Sequence, residues 1–127
     1  MLTELLEVIT ATVEGHCKLD TGITMEELPA EGGIYAELGE GFGESTSYNK
    51  QEVKVIPVLF LCRHPDQKRC LEQLCEIAGY LQGLKQYPQG KTFAWLNTEI
   101  AKEPSKIGRD EDGVYHYSCI LNCKIYC

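Results

Sequence analysis

The sequence lacks every short motif that would indicate a common catalytic or nucleotide-binding site. It contains no Gly-x-Ser-x-Gly, no His-Glu-x-x-His and no Walker phosphate-binding pattern. Its three histidines, His16, His64 and His116, are not spaced with Asp, Glu or Cys in a way that would orient a general base or a metal ligand. We therefore predict a protein that is not an enzyme, with no catalytic residue, no metal ligand and no cofactor.

Basic residues are few and scattered along the chain. Twelve Lys and Arg stand against nineteen Asp and Glu, which gives a formal net charge of -7. Direct binding of nucleic acid is disfavoured, because contact with a phosphate backbone needs a positive surface. No apolar run is long enough to span a membrane, and acids among the first leucines are unlike a signal peptide. These observations predict a protein made and kept in a cytoplasm, without a membrane partner.

The chain has seven cysteines but no Cys-x-x-Cys pair. Cys119, Cys123 and Cys127 recur every four residues, and on a strand such neighbours lie about 13 Å apart. Zinc binds its sulfur ligands at about 2.3 Å, so no two of these thiols can share an ion. Cys70 and Cys75, five apart on a helix, do not point the same way. We predict that most of the cysteines are buried, reduced thiols, and the odd count also disfavours a full disulfide framework.

The C-terminal segment shows the clearest pattern, because its residues alternate from Val114 to Tyr126 after a turn at Asp110–Gly113. This alternation predicts a long strand with one buried and one mostly polar face. The buried set is Tyr115, Tyr117, Cys119, Leu121, Cys123 and Ile125, and the other set is His116, Ser118, Ile120, Asn122 and Lys124. At roughly 3.3 Å per residue the strand spans about 40 Å. Such a surplus of sheet suggests a part that other subunits complete.

The rest of the chain predicts two amphipathic helices and three further strands. The helices are expected over Leu2–Val13 and from Pro65 to Gly83, the latter with an apolar stripe of Leu71, Leu74, Cys75, Ala78 and Leu81 and with Gln73 facing water. The strands are expected over Ile34–Leu38, Val53–Cys62 and Thr92–Thr98, the last continuing irregularly to Ile107. The predicted class is α+β in a single domain, residues 1–127. Two helices pack on one face of a mostly antiparallel four-stranded sheet, in the order α-β-β-α-β-β.

The structures of two segments are harder to predict from the sequence. Val53–Cys62 is apolar on both faces after Lys54, which favours a central strand covered on both sides, whereas Pro57 favours an edge or a bulge. Gly39–Asn49 has three glycines, and Glu40 and Glu44 make it unsuitable as a phosphate cradle. We predict a flexible hairpin tip or mobile loop there.

Two segments resemble one known family. The stretch from Val53 to Leu84, with an apolar strand, His-Pro-Asp and an amphipathic helix, resembles the middle of phage tail-terminator proteins, also called minor capsid proteins of long-tailed phages and prophages. The ending from Glu103 to Ser118 is similar to that family's closing hairpin. The resemblance covers nearly the whole chain and rests on structural rather than catalytic motifs. The family does not require the seven cysteines.

The resemblance implies a structural virion protein at the head-proximal end of the tail, assembled in the cytoplasm of the host bacterium. Such proteins form a homo-oligomeric ring, usually a hexamer, that caps the tail tube and presents a surface to head-closure proteins. The implied partners are other copies, the major tail tube protein and a head-closure or connector protein. By analogy, the interface candidates are Gly39, Gly41, Phe42, Gly43, Ser45, Tyr48, Asp110, Glu111, Asp112 and Gly113.

Two alternatives remain open. A head-tail connector or tail-completion protein has a similar size and fold and differs mainly in its partner. A small metal- or thiol-dependent enzyme would instead be built on Cys62, His64 and Cys70. Stoichiometric zinc in the purified protein would favour the enzyme.

Overall fold

The computed structural model describes residues 2–17, 19, 23–24, 32–39, 42–46, 52–84, 87–91, 93–109 and 113–126. In chain order the elements are α1 (Leu2–His16), β1 (Ile23–Thr24), β2 (Gly33–Leu38), β3 (Phe42–Thr46), β4 (Glu52–His64), α2 (Gln67–Gln82), β5 (Ala94–Arg109) and β6 (Tyr115–Tyr126). The predicted α+β class, with two helices beside one sheet, is confirmed within these ranges.

The predicted four-stranded sheet and its element order are wrong in detail. Among the described residues the sheet has six strands, in the lateral order β1-β2-β4-β6-β5, with β3 also paired to β4. β1 and β3 are the additional strands, and because β1 runs parallel to β2 the sheet is mixed. β3 lies inside the glycine-rich segment predicted as a loop. Its pairing with β4 supplies backbone hydrogen bonds that do not depend on an apolar side-chain pattern.

β2 and β3 follow each other along the same edge of β4, and the break between them faces Pro57. β2 pairs with the β4 stretch from Val58 to Arg63, and β3 pairs with residues 52–55. At the break, the backbone N–H of Gly39 donates to the Pro57 carbonyl at 2.8 Å. In an antiparallel ladder every second facing pair exchanges two hydrogen bonds, and in such a pair proline lacks the donor for one of them. Pro57 therefore lies in a central strand, where its missing N–H coincides with an interruption of the neighbouring strand.

Helix α2 begins with a side-chain cap. Asp66 is the N-cap, and its Oδ1 accepts from the backbone N–H groups of Lys68 at 3.0 Å and Arg69 at 3.4 Å. The predicted start at Pro65 is therefore two residues early. The buried face is also rotated from the prediction, because Gln73 is buried while Cys75 is exposed. Gln73 Nε2 lies 3.7 Å from Cys62 Sγ, and this contact gives the buried amide a partner.

The core lies on one face of the sheet, between the strands and both helices. Both helices and the strands β2, β4, β5 and β6 contribute residues that share that face. The main contributors are Leu5, Ile9 and Val13 of α1, Leu74, Ile77 and Leu81 of α2, Ile56, Val58, Phe60 and Cys62 of β4, and Cys119, Leu121, Cys123 and Ile125 of β6. The alternation predicted for the last strand is confirmed from Tyr117 to Ile125, whose odd-numbered residues are buried, whereas Tyr115 is only half-buried and Ser118 of the opposite set is also buried.

We predict that Gly32→Ala destabilises the protein. Gly32 has φ +131°, and an added Cβ would lie 2.8 Å from the carbonyl oxygen of Arg63 at the end of β4. Strain of this kind costs about 1–3 kcal/mol. Urea unfolding should show this loss in the free energy of unfolding.

Gly79→Ala is the matched control. Gly79 lies on the exposed side of α2, and apart from the adjacent backbone of its own helix no atom lies within 4 Å of an added Cβ. Because alanine is the better helix former, this variant should gain up to about 1 kcal/mol. Equal stability of the two variants would contradict the structure around Gly32.

Candidate functional site: the open face of the sheet

The interface residues predicted from the sequence fall into two groups at opposite ends of the sheet. Gly39 precedes β3, which contains Phe42, Gly43 and Ser45 and pairs with the start of β4. Gly113, at φ +83°, precedes Tyr115, which pairs with His64 at the other end of β4. Val55 and His64 lie nine positions apart on β4, which separates the two groups by about 30 Å. Gly41, Tyr48, Asp110, Glu111 and Asp112 lie outside the described residues.

The β5 edge of the sheet is poorly suited to pairing with another strand. Between the pairs Ala94–Tyr126 and Arg109–Tyr115, β5 advances fifteen residues while β6 advances eleven, so β5 contains bulges. It also carries Pro104 and several charged side chains. Bulges, proline and charges are the features by which proteins prevent strand addition at a sheet edge. The long strand β5 is therefore poorly suited to pair with a strand of another subunit.

The face opposite the helices, here called the open face, carries a contiguous apolar patch. It consists of Val55, Pro57, Leu59 and Leu61 of β4 and Ile120 of β6, and all five are partly exposed. Leu59 lies directly beside Ile120, and Leu61 lies beside Ser118. None of the five belongs to the core cluster, to which both helices contribute, so no described helix covers them. This face of β6 is mostly polar by itself. The apolar residues of the neighbouring strand β4 make the combined surface apolar at its centre.

Charged and aromatic residues border this patch on both sides. On β2, Glu37 lies beside Leu59, and its Oε2 accepts a hydrogen bond from the Tyr35 hydroxyl at 2.8 Å. On β5, Lys102 lies beside Ile120. Lys102, Ile120, Leu59 and Glu37 thus form one row across four adjacent strands, here called the central row. Its ends have opposite charges, and both end residues are exposed.

The two thiol candidates are buried, and the histidine candidate lies at the turn before α2. Cys70 Sγ donates to the carbonyl oxygen of Cys62 at 3.3 Å, and both side chains are fully buried. A hydrogen bond with the Cys62 side chain lowers the pKa of Cys70, and burial opposes that shift. His64 Nδ1 accepts from the backbone N–H of Asp66 at 2.9 Å, so this nitrogen serves the turn before α2. Among the described residues, no three His, Cys, Asp or Glu side chains are grouped to hold a metal ion.

Comparison with known proteins gives no assignment. No protein-family model matches this chain, and no curated protein sequence matches it. The relation to tail-terminator proteins therefore stays a prediction. Within the described parts of the chain, no helix has the length and apolar character needed to cross a bilayer.

Two cysteines of β6 behave as small core residues. Cys119 and Cys123 have no exposed surface. Burial raises the pKa of Cys119 to about 12, and the nearby Cys75 and Glu103 act in the same direction. Burial also raises the pKa of Cys123 to about 12, although the Thr98 hydroxyl, 3.9 Å from its sulfur, partly offsets the shift. Both thiols thus stay protonated in the folded protein at neutral pH.

We predict that the protein loses stability as the pH rises above about 9. Unfolded thiols ionise near pH 8.5, whereas Cys119 and Cys123 keep their protons until about pH 12. The unfolded state then binds fewer protons, so the free energy of unfolding falls by up to about 1.4 kcal/mol per pH unit for each thiol. Urea unfolding of wild type and Cys123→Val over this pH range should show a shallower fall in the variant. Equal slopes would contradict the burial of Cys123.

Proposed function

We propose that this chain is a structural virion protein, a tail terminator that assembles into a ring on the end of a phage tail tube. One observation carries the assignment to assembly, namely the apolar open face. Contiguous apolar surface on a folded domain marks an interaction site or an aggregation hazard. Because the patch contains no group that could do chemistry, binding to protein is the function that it supports.

The open face is large enough for a specific protein contact. Four strands spaced about 4.8 Å apart, over the about 40 Å length of β4, present roughly 800 Å². Stable interfaces bury about 800 Å² on each partner. The apolar residues occupy the centre of this area, and Glu37 and Lys102 lie at its rim. A central apolar zone inside a polar rim is the usual arrangement in protein interfaces.

The placement of the other interface candidates also suits a protein that joins two partners. The β3 edge and the hairpin end at Gly113 lie at opposite ends of the sheet. A tail terminator contacts the tube on one side and the head-closure proteins on the other. The resemblance in Val53–Leu84 and in Glu103–Ser118 favours a terminator, and this separation is compatible with one. A head-tail connector would use the same surfaces and would differ mainly in the partner that it binds.

We predict that Leu59→Asp abolishes capping of tail tubes. A carboxylate at the centre of the open face would be buried without a partner in any assembly through that face, which costs several kcal/mol. The assay is cosedimentation of the purified chain with tail tubes of the phage or prophage that encodes it, and negative-stain microscopy shows density at the tube end. Wild type should bind, and the variant should bind at least about tenfold less.

Leu96→Asp is the control for this test. Leu96 is 47% exposed on β5 and lies at a register shift, so it belongs to neither the core nor the open face. It should cap tubes like the wild type. Equal binding by Leu59→Asp would contradict the role of the open face, and wild-type protein that binds only the head-closure partner would favour the connector.

A further inference from the structure

The central row has a charge pattern that is complementary to itself. Across the open face, Lys102 on β5 and Glu37 on β2 stand at the same level on opposite sides of the apolar pair. The row therefore reads base, apolar, apolar, acid. A second copy that faces the first with left and right exchanged presents an acid to each base.

A twofold axis gives this exchange directly. When two open faces pack together with the axis parallel to the strands and between β4 and β6, β5 of one copy lies over β2 of the other. Lys102 then faces Glu37 of the second copy, and the reverse pair forms by symmetry. Leu59 faces Ile120 of the second copy, again twice. Two ion pairs and two apolar contacts thus follow from one row.

The remaining rows are compatible with this packing. Val53 would face Tyr126 of the second copy, and Leu61 would lie over Ser118, which is already buried within its own chain. Lys124 would face Val55, where a lysine stem can cover apolar surface while its ammonium group stays in water. The least favourable pair is Arg63 against His116, at the end of the sheet, and both already interact within their own chain.

A twofold axis across the strands is less favourable. It would place Lys102 against Glu99 of the second copy, which also matches in charge, but Ile120 would then face Asn122. The axis along the strands instead packs Leu59 and Ile120 on each other twice. Packed sheets keep their strand directions within about 30° of each other, so either alignment is sterically acceptable.

We propose that a second copy of this chain occupies the open face, related by a twofold axis parallel to the strands, with reciprocal Lys102–Glu37 ion pairs. This rests on the proposed role of the open face in assembly. A twofold contact is closed, since each copy uses the same patch. It cannot by itself build a ring, so ring formation needs a second surface. The dimer is then the building unit, or the free form that shields the apolar patch before a tube is present.

The test is charge reversal followed in the full-length chain by sedimentation equilibrium at low salt. Wild type should dimerise, more weakly as salt rises. Lys102→Glu and Glu37→Lys each turn two attractive pairs into two repulsive ones, and each should raise the dimer dissociation constant about tenfold or more. Equimolar mixing of the two single variants should restore dimerisation, because each supplies the charge that the other lacks. The double variant in one chain should also dimerise like the wild type.

Two control variants test whether dimerisation depends on the Lys102–Glu37 pair in particular. Glu99→Lys makes the same charge change on the open face as Glu37→Lys. Glu99 would stand opposite Gly39 of the second copy, so this variant should dimerise like the wild type. Lys68→Glu reverses a charge on the exposed side of α2, far from the open face, and should be neutral. Circular dichroism and thermal unfolding of each variant confirm that the fold is retained.

A wild-type chain that stays monomeric, single reversals without effect, or a mixture that fails to recover would overturn the proposal. A loss on Glu99→Lys that Lys102→Glu rescues would overturn it in favour of the other axis. Wild-type protein that caps tubes but never dimerises overturns the twofold contact alone. Protein that dimerises as described but never binds a tube overturns the proposed function alone.

Discussion

The pairing of β4 with β6 determines the rest of the structure. The two strands run antiparallel from the Val53–Tyr126 pair to the His64–Tyr115 pair without a register shift. Because strand side chains alternate between faces, this register places Phe60 and Cys119 in the core and Leu59 and Ile120 on the opposite side. A slip of one residue would exchange the two faces. The same ladder therefore specifies the buried core on one side of the sheet and the apolar open face on the other.

The two sides of the sheet differ in what they require. On the helix side, the apolar residues of the core cluster are buried by α1, α2 and one another. The open side leaves five apolar residues partly in water, which costs about 25 cal/mol for each Å² that stays exposed. The molecule also has a β5 edge with bulges, proline and charges, which prevents uncontrolled strand addition. Protection of the edge combined with an apolar face favours contact through the face, with a defined partner and orientation.

The local sequence predicted the elements whose apolar side-chain pattern is continuous. It failed where strand pairing through the backbone has no matching side-chain pattern. The long strand at the C-terminus was predictable because β6 alternates without a bulge. β3 was missed because glycine and small polar residues pair through their backbone and give no apolar period. One sequence feature indicated the open face, namely the apolar residues on both faces of the Val53–Cys62 strand. The central row had none, because bulges in β5 decide that Lys102 reaches the level of Ile120, and strand order decides that Glu37 stands across from it.

Hydroxyl-radical footprinting of the chain diluted to the monomer, compared with the assembled chain as a dimer or on a tube, tests the role of the open face most directly. Oxidation of Leu59, Leu61 and Ile120 is compared with that of Leu96 and Ile107, the large apolar residues of β5 that are 47% and 59% exposed. We predict that assembly lowers labelling of the three open-face residues several-fold and leaves the two β5 residues unchanged. Labelling of Leu59 and Ile120 that does not change on assembly would contradict an interface on this face.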